Sequence, residues 1–218
     1  MKGWFITFEG TEGGGKSTQI GLLATRLRAA GRIVRTLREP GGTDIGEEIR
    51  HTLKHSAANH AMTPEAELLL MNASRAQLVR EIIRPALAAG EVVVCDRFYD
   101  STTAYQGCGR GLDRGLLRGV IEFAIGPTKP DLTLLLHVPR RVSELRRAQR
   151  TAASAAAGAV RDRFEEADAD FFDRVEAGFL EIAAAEPHRV KVIDATADIE
   201  TVSEQVWAQA ASLIGAAR

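Results

Sequence analysis

The segment Gly10-Thr11-Glu12-Gly13-Gly14-Gly15-Lys16-Ser17 constrains this chain more than any other. It follows the apolar run Trp4-Phe5-Ile6-Thr7-Phe8, which reads as a buried first strand. It precedes residues 17–30, where Ile20, Leu23 and Leu27 recur at helical spacing. A strand, a glycine-rich turn closing on Gly-Lys-Ser and a helix, in that order, make a phosphate-binding loop. Glycines let backbone amides turn inward around phosphate oxygens, and the helix N-terminus adds positive potential. Gly10, Thr11, Glu12, Gly13, Gly14, Gly15, Lys16, Ser17 and Thr18 therefore read as the site of a nucleoside triphosphate such as ATP. Lys16 would reach its β- and γ-phosphates and Ser17 would ligate Mg²⁺.

The 218 residues suit one α/β domain, and no Pro/Gly/Ser-rich linker divides them, so a single domain over 1–218 is expected. A formal charge of -1 and a pI near 6.5 give no support to a nucleic-acid partner or an anionic membrane surface. The positive charge that meets phosphate must therefore be local. No apolar run is long enough to span a membrane, and the N-terminus lacks the charge-then-apolar pattern of a secretory signal. Two cysteines, Cys95 and Cys108, make neither a disulfide scaffold nor a metal site. Cytoplasmic placement is the simplest expectation.

Further strands are expected over 32–37, 92–95, 132–138 and 189–193, separated by helical stretches. The longest of these starts at Pro64 behind a Thr63 cap and is expected to kink at Pro85. A basic helix should open at Pro139 and end near Arg150, and glycines over 107–111 should interrupt a helix begun at Ser101. Strands alternating with helices predict a parallel, five-stranded, three-layer α/β/α fold.

A phosphate loop specifies triphosphate binding but not a reaction, so the chemistry must come from other groups. Asp96, at the end of the third strand, is placed to hold Mg²⁺ or one of its waters, and Glu9 is a second candidate carboxylate. Transfer to a second nucleotide brings two anions together and requires arginines near the acceptor. Arg38, Arg97, Arg150 and Arg161 are suitable, with Arg50 and Arg147 behind them. The small-residue stretch 151–160, flanked by Arg150, Arg161 and Arg163, has the profile of a mobile lid that excludes water.

Beyond the loop, the chain carries Arg38-Glu39-Pro40-Gly41-Gly42-Thr43, Arg75-Ala76-Gln77-Leu78-Val79, Asp96-Arg97, Ala104-Tyr105-Gln106-Gly107 and Asp162-Arg163-Phe164-Glu165. With these segments it resembles the bacterial thymidylate kinases over nearly its whole length. The resemblance implies a P-loop NTPase fold with a lid near 150–163, transfer of phosphate from ATP to dTMP with Mg²⁺, and a homodimer. It also implies roles. Arg97 and Arg38 would lie near the dTMP phosphate, Arg50 and Glu12 in the acceptor region, and Met71 against thymine with Arg75 at its polar edge. Thr102, Thr103 and Gln106 would complete recognition, Tyr105 would pack on the nucleotide, Arg150 and Arg161 would be the lid arginines, and Asp162 and Glu165 would organise acceptor contacts. Three features depart from the family pattern: Met71 where a phenylalanine is expected, His137 where an aspartate is common, and a longer, alanine-rich lid. His137 is expected to be structural. Two other readings remain at this stage: a kinase of altered or broader pyrimidine specificity, motivated by Met71, and a nucleotide-dependent regulatory binding module.

Overall fold

A computed structural model describes residues 3–155 and 168–215, with all their side chains except those of 147 and 150–155. Five strands, β1 (Trp4–Glu9), β2 (Val34–Arg38), β3 (Val92–Asp96), β4 (Leu132–His137) and β5 (Val190–Asp194), form one sheet in the order β2-β3-β1-β4-β5. Every neighbouring pair is parallel. The expected five-stranded parallel sheet is therefore present, with strand ends displaced by a residue or two. β2, for instance, ends at Arg38 because its register against β3 continues to the pair Arg38 and Asp96.

The central strand β1 is buried throughout, and its alternate residues point into opposite layers. Ile6 and Phe8 meet Leu23 and Leu27 of α1 (Lys16–Ala29) and Val202 and Val206 of α9 (Ile199–Gly215). Phe5 faces the other way, toward Leu68 and Leu78 of α3 (Pro64–Leu78) and Leu117 and Ile121 of α6 (Arg114–Ile125). A third cluster packs Phe171, Val175 and Phe179 of α8 (Ala169–Ala185) on Tyr105 and Leu135.

Three helices differ from expectation. α3 passes through a π-helical segment, Val79–Ile83, into α4 (Arg84–Ala88), so the irregularity precedes Pro85. Proline lacks an amide and its ring presses on the carbonyl one turn back, and a widened turn absorbs both effects. α5 (Tyr99–Thr102) continues as a π-helical segment, Thr103–Gly109, which passes Gly107 and ends inside the glycine stretch expected to interrupt it. One of those glycines serves packing: a Cβ at Gly109 would lie 2.5 Å from the Phe171 ring, and on the facing helix α8 a Cβ at Gly178 would lie 2.6 Å from Cys108 Sγ. The basic helix α7 (Arg140–Ala155) runs past Arg150, because the alanines that suggested a lid are also the strongest helix formers. The rest of the expected lid lies outside the described residues.

Between β2 and α3, α2 (Asp44–Lys54) is capped by Thr43, whose Oγ1 accepts from Gly46 N at 3.0 Å. The stretch after it is a 3₁₀ turn, Ala57–Ala61, pinned by buried Asn59, whose Nδ2 donates to Leu53 O at 2.9 Å. No helix among the described residues is long and apolar enough to cross a membrane.

Candidate active site

The phosphate loop leaves the C-terminal end of β1, between β3 and β4. Gly10 adopts φ 124°, and a Cβ there would press on Leu136 O of β4, so only glycine lets the chain pass. Gly15, at φ 84°, caps α1. Lys16 is buried and its Nζ donates to Gly10 O at 3.0 Å and Thr11 O at 2.9 Å. Burial, with Arg97 nearby, lowers its ammonium to about 8 against the opposing pull of Asp96, Glu12 and Glu9.

Two of the predicted metal groups meet here. Ser17 Oγ donates to Asp96 Oδ2 at 3.3 Å, and Asp96 Oδ1 is buried with no hydrogen-bond partner among the described residues. Glu9 is engaged elsewhere. Its Oε1 accepts from Phe98 N at 2.8 Å and Ser101 N at 3.3 Å, and its Oε2 accepts from Ser101 Oγ at 2.5 Å, which caps α5. Burial, reinforced by Asp100, raises the Glu9 carboxyl to about 8. Among the described residues no group of three or more His, Cys, Asp or Glu side chains is placed to hold a metal.

Arg97 follows β3 in a left-handed backbone conformation, φ 70°, with its amide donating to Phe8 O at 2.9 Å. The turn aims its guanidinium across the loop. It donates to Glu12 Oε1 at 2.8 Å, Ser101 Oγ at 2.9 Å and Tyr105 OH at 3.1 Å, and lies 4.9 Å from the Tyr105 ring centre. Tyr105 OH in turn donates to Glu12 Oε2 at 2.8 Å. Burial pushes the Glu12 carboxyl up, but Arg97, Lys16 and the Tyr105 hydroxyl outweigh it and leave the group at about 2. Arg97 thus already faces an anion.

Beside this cluster opens a cleft of about 460 Å³. Seven predicted residues line it: Glu12, Met71, Arg75, Arg97, Thr102, Tyr105 and Gln106. Arg75 is almost fully buried and held on all sides. Its Nε donates to Glu39 Oε2 at 2.8 Å, its Nη1 to Asn72 Oδ1 at 2.8 Å and Thr102 Oγ1 at 2.9 Å, and its Nη2 to Phe98 O at 3.2 Å. Gln106 Nε2 donates to Glu67 Oε1 at 2.8 Å.

Three predicted substrate residues do not line the cleft. Arg38 is half exposed and forms a two-pronged pair with Glu47 of α2, at 2.7 and 3.0 Å. Arg50 Nη1 donates to Pro40 O at 2.8 Å, bracing the loop behind the cleft wall, and Thr103 Oγ1 donates to Tyr99 O at 3.3 Å on its own helix. Arg161, Asp162 and Glu165, with the Arg150 side chain, lie outside the described residues. His137 ties β4 to α8 through Glu176, Nε2 to Oε1 at 2.9 Å, as its structural reading expects.

Glu39, Pro40, Lys54 and Ser101 line the cleft without having been predicted. Glu39 and Pro40 sit inside the segment that carries the resemblance, so their position was the available signal. Lys54 ends an otherwise ordinary helix and gives none.

A family model described as thymidylate kinase matches residues 8–206. Curated relatives named thymidylate kinase include one from Thermomicrobium roseum, 49% identical over 205 residues and covering 94% of this chain and 93% of the relative. Another, from Deinococcus radiodurans, is 46% identical over 207 residues, covering 95% and 96%. Among solved structures, thymidylate kinase from Ehrlichia chaffeensis is similar at a TM-score of 0.76 and 32% identity, covering 96% of this chain and all of that one.

Proposed function

This chain belongs to the thymidylate kinase family, and we infer from that premise, and from the geometry of the cleft, that it transfers the γ-phosphate of ATP to dTMP, giving ADP and dTDP. The observation that carries the reading is the place of Arg97. Its one guanidinium touches the phosphate loop through Glu12 and the cleft through Ser101 and Tyr105, so donor and acceptor sites share a cation.

A dTMP phosphate oxygen is already ionised near neutral pH and attacks the γ-phosphorus in line, without a proton-abstracting base. Lys16 and the loop amides hold the donor phosphates, and Arg97 takes the acceptor phosphate in exchange for part of its contact with Glu12. Met71 covers the base, Arg75, Thr102 and Gln106 present its polar edge, and Tyr105 packs on the nucleotide. Arg38 joins the acceptor phosphate only by giving up Glu47. Arg150 and Arg161, in the lid over 150–163, bring further positive charge to the transferring group, and Asp162 and Glu165 organise acceptor contacts.

Ser17 and Asp96 fit a divalent cation, because their oxygens lie together and a buried carboxylate oxygen without a partner is costly unless an ion or its water meets it. These two residues would hold Mg²⁺, which when bound neutralises charge on the phosphates. The enzyme acts in the cytoplasm as a homodimer. The apolar side chains that α3 and α6 expose, Leu69, Leu116 and Phe123, support an interface on that layer.

The test is a purified-enzyme assay with MgATP and a panel of dTMP, dUMP, dCMP, dGMP and AMP, resolving the diphosphate products. Preferential dTDP formation is expected. Stronger turnover of another monophosphate would move the specificity, and ADP release without any diphosphate product would defeat the transferase reading.

A further inference from the structure

Backbone amides can converge on phosphate only if the carbonyls of the same loop turn outward, and each outward carbonyl needs a donor of its own. In the phosphate loop, Gly10 O and Thr11 O receive Lys16 Nζ, and Gly15 O receives Gln19 N at 3.1 Å. Of the carbonyls between them, those of Glu12 and Gly13 are satisfied from outside. Ser143 Oγ donates to Glu12 O at 2.6 Å, and Arg146 Nη1 donates to Gly13 O at 3.3 Å. Both donors belong to α7, three residues apart and so on one face of it. The same Arg146 nitrogen reaches Ala195 O, just after β5, at 3.0 Å, which ties the phosphate loop to the far side of the sheet. Gly13 makes the approach possible: at φ 80°, a Cβ there would lie 2.9 Å from Ser143 O and 3.3 Å from Arg146 Cβ.

We propose that Ser143 and Arg146 are positioning residues for phosphate transfer, through which α7 sets the carbonyls, and hence the amides, of the phosphate loop for the donor nucleotide. The proposal rests on the kinase reading for the identity of that donor. Neither residue lines the acceptor cleft, and their direct contacts with the loop are to its carbonyls, although the Glu12 that Ser143 holds also borders that cleft. Ser143 is buried, and its hydroxyl has the Glu12 carbonyl as its target.

The test compares Ser143→Ala, Arg146→Met, Arg146→Lys and the Ser143→Ala/Arg146→Met double variant with the unaltered full-length enzyme. Affinity for a non-hydrolysable MgATP analogue is measured by calorimetry, alongside KM for ATP, KM for dTMP, kcat and the thermal midpoint. Each single loss should weaken analogue binding roughly tenfold, as expected for one hydrogen bond to an otherwise unsatisfied group. KM for dTMP should hold, and the two losses should be non-additive because they free adjacent carbonyls of one loop. Arg146→Lys should recover part of the affinity, since an ammonium can still donate to Gly13 O. Unchanged analogue affinity would overturn the proposal, and so would a parallel worsening of both KM values with a fall in thermal midpoint. If the unaltered enzyme binds the analogue yet makes no dTDP, the kinase reading fails while the binding comparison still decides the role of α7.

Discussion

Arg97 is the one non-glycine residue with positive φ among those described, and that conformation costs a residue with a Cβ about 1–2 kcal/mol. It persists because the left-handed turn directs the guanidinium from the end of β3 toward Glu12 and Tyr105. Arg97→Gly and Arg97→Ala therefore separate conformation from chemistry. Both should lower kcat by at least about a hundredfold, the scale of losing one preorganised charge donor. Arg97→Gly should nevertheless be about 1 kcal/mol more stable than Arg97→Ala in denaturant titrations, because glycine accepts this φ freely. Equal stabilities would mean that the turn is unstrained. Glu9 offers a test by pH. Its carboxyl is raised from 4.5 to about 8 by burial and Asp100, so the folded protein binds a proton there that the unfolded chain releases earlier. Its contribution to stability is complete below about pH 4.5 and is lost as pH rises toward 8. The thermal midpoint of the native enzyme should decline more steeply between pH 5 and 8 than that of Glu9→Gln, and parallel curves would contradict the assignment.

At the scale of elements, α5 is the short helix on which the acceptor side depends, and it is braced at both ends of its polar face. Glu9 caps its amides, while Asp100 is gripped by Arg189 at 2.7 and 3.0 Å, with Thr133 sharing the network. The pair is largely out of solvent, so Arg189→Met strands a buried carboxylate and should cost roughly 3–5 kcal/mol, measured by chemical denaturation. A loss within experimental error would show that Asp100 is relieved by other groups. None of this bracing can be read from the local sequence, because Arg189 and Asp100 are joined only by the fold. The same limit explains the glycines from Gly107 to Gly111. A glycine cluster signals a break, and the helix does end at Gly109, but only the fold shows that Gly109 also makes room for Phe171, more than sixty residues later. Local patterns did locate the strands, as apolar runs, and the first helix, since a core-facing stripe such as Ile20, Leu23 and Leu27 needs no knowledge of its partners.

For the molecule as a whole, the cleft was readable where motif and topology agree. Glu12, Arg97 and Tyr105 follow strands β1 and β3 at the ends where such sheets gather ligand groups, and they converge as expected. Arg38 and Arg50 come from the β2 edge, where a partner on α2 and a loop carbonyl compete for them, and sequence proximity could not foretell which would prevail. Assembly is the least legible property. Phe123 is 83% exposed on α6, and Phe123→Glu should shift sedimentation toward monomer if that layer forms the dimer. A native enzyme sedimenting as a monomer at micromolar concentration would dispose of the interface altogether. The strand order also governs when this enzyme can come into being. β1 is synthesised first, yet its neighbours are residues 92–96 and 132–137, and Glu12 O waits for Ser143. A growing polypeptide therefore carries the letters of its nucleotide loop through most of translation without the walls that give the loop a shape. Until residue 143 has left the ribosome, the nascent chain lacks contacts that shape the nucleotide loop, so a product that ends before it has the loop's residues without their full frame.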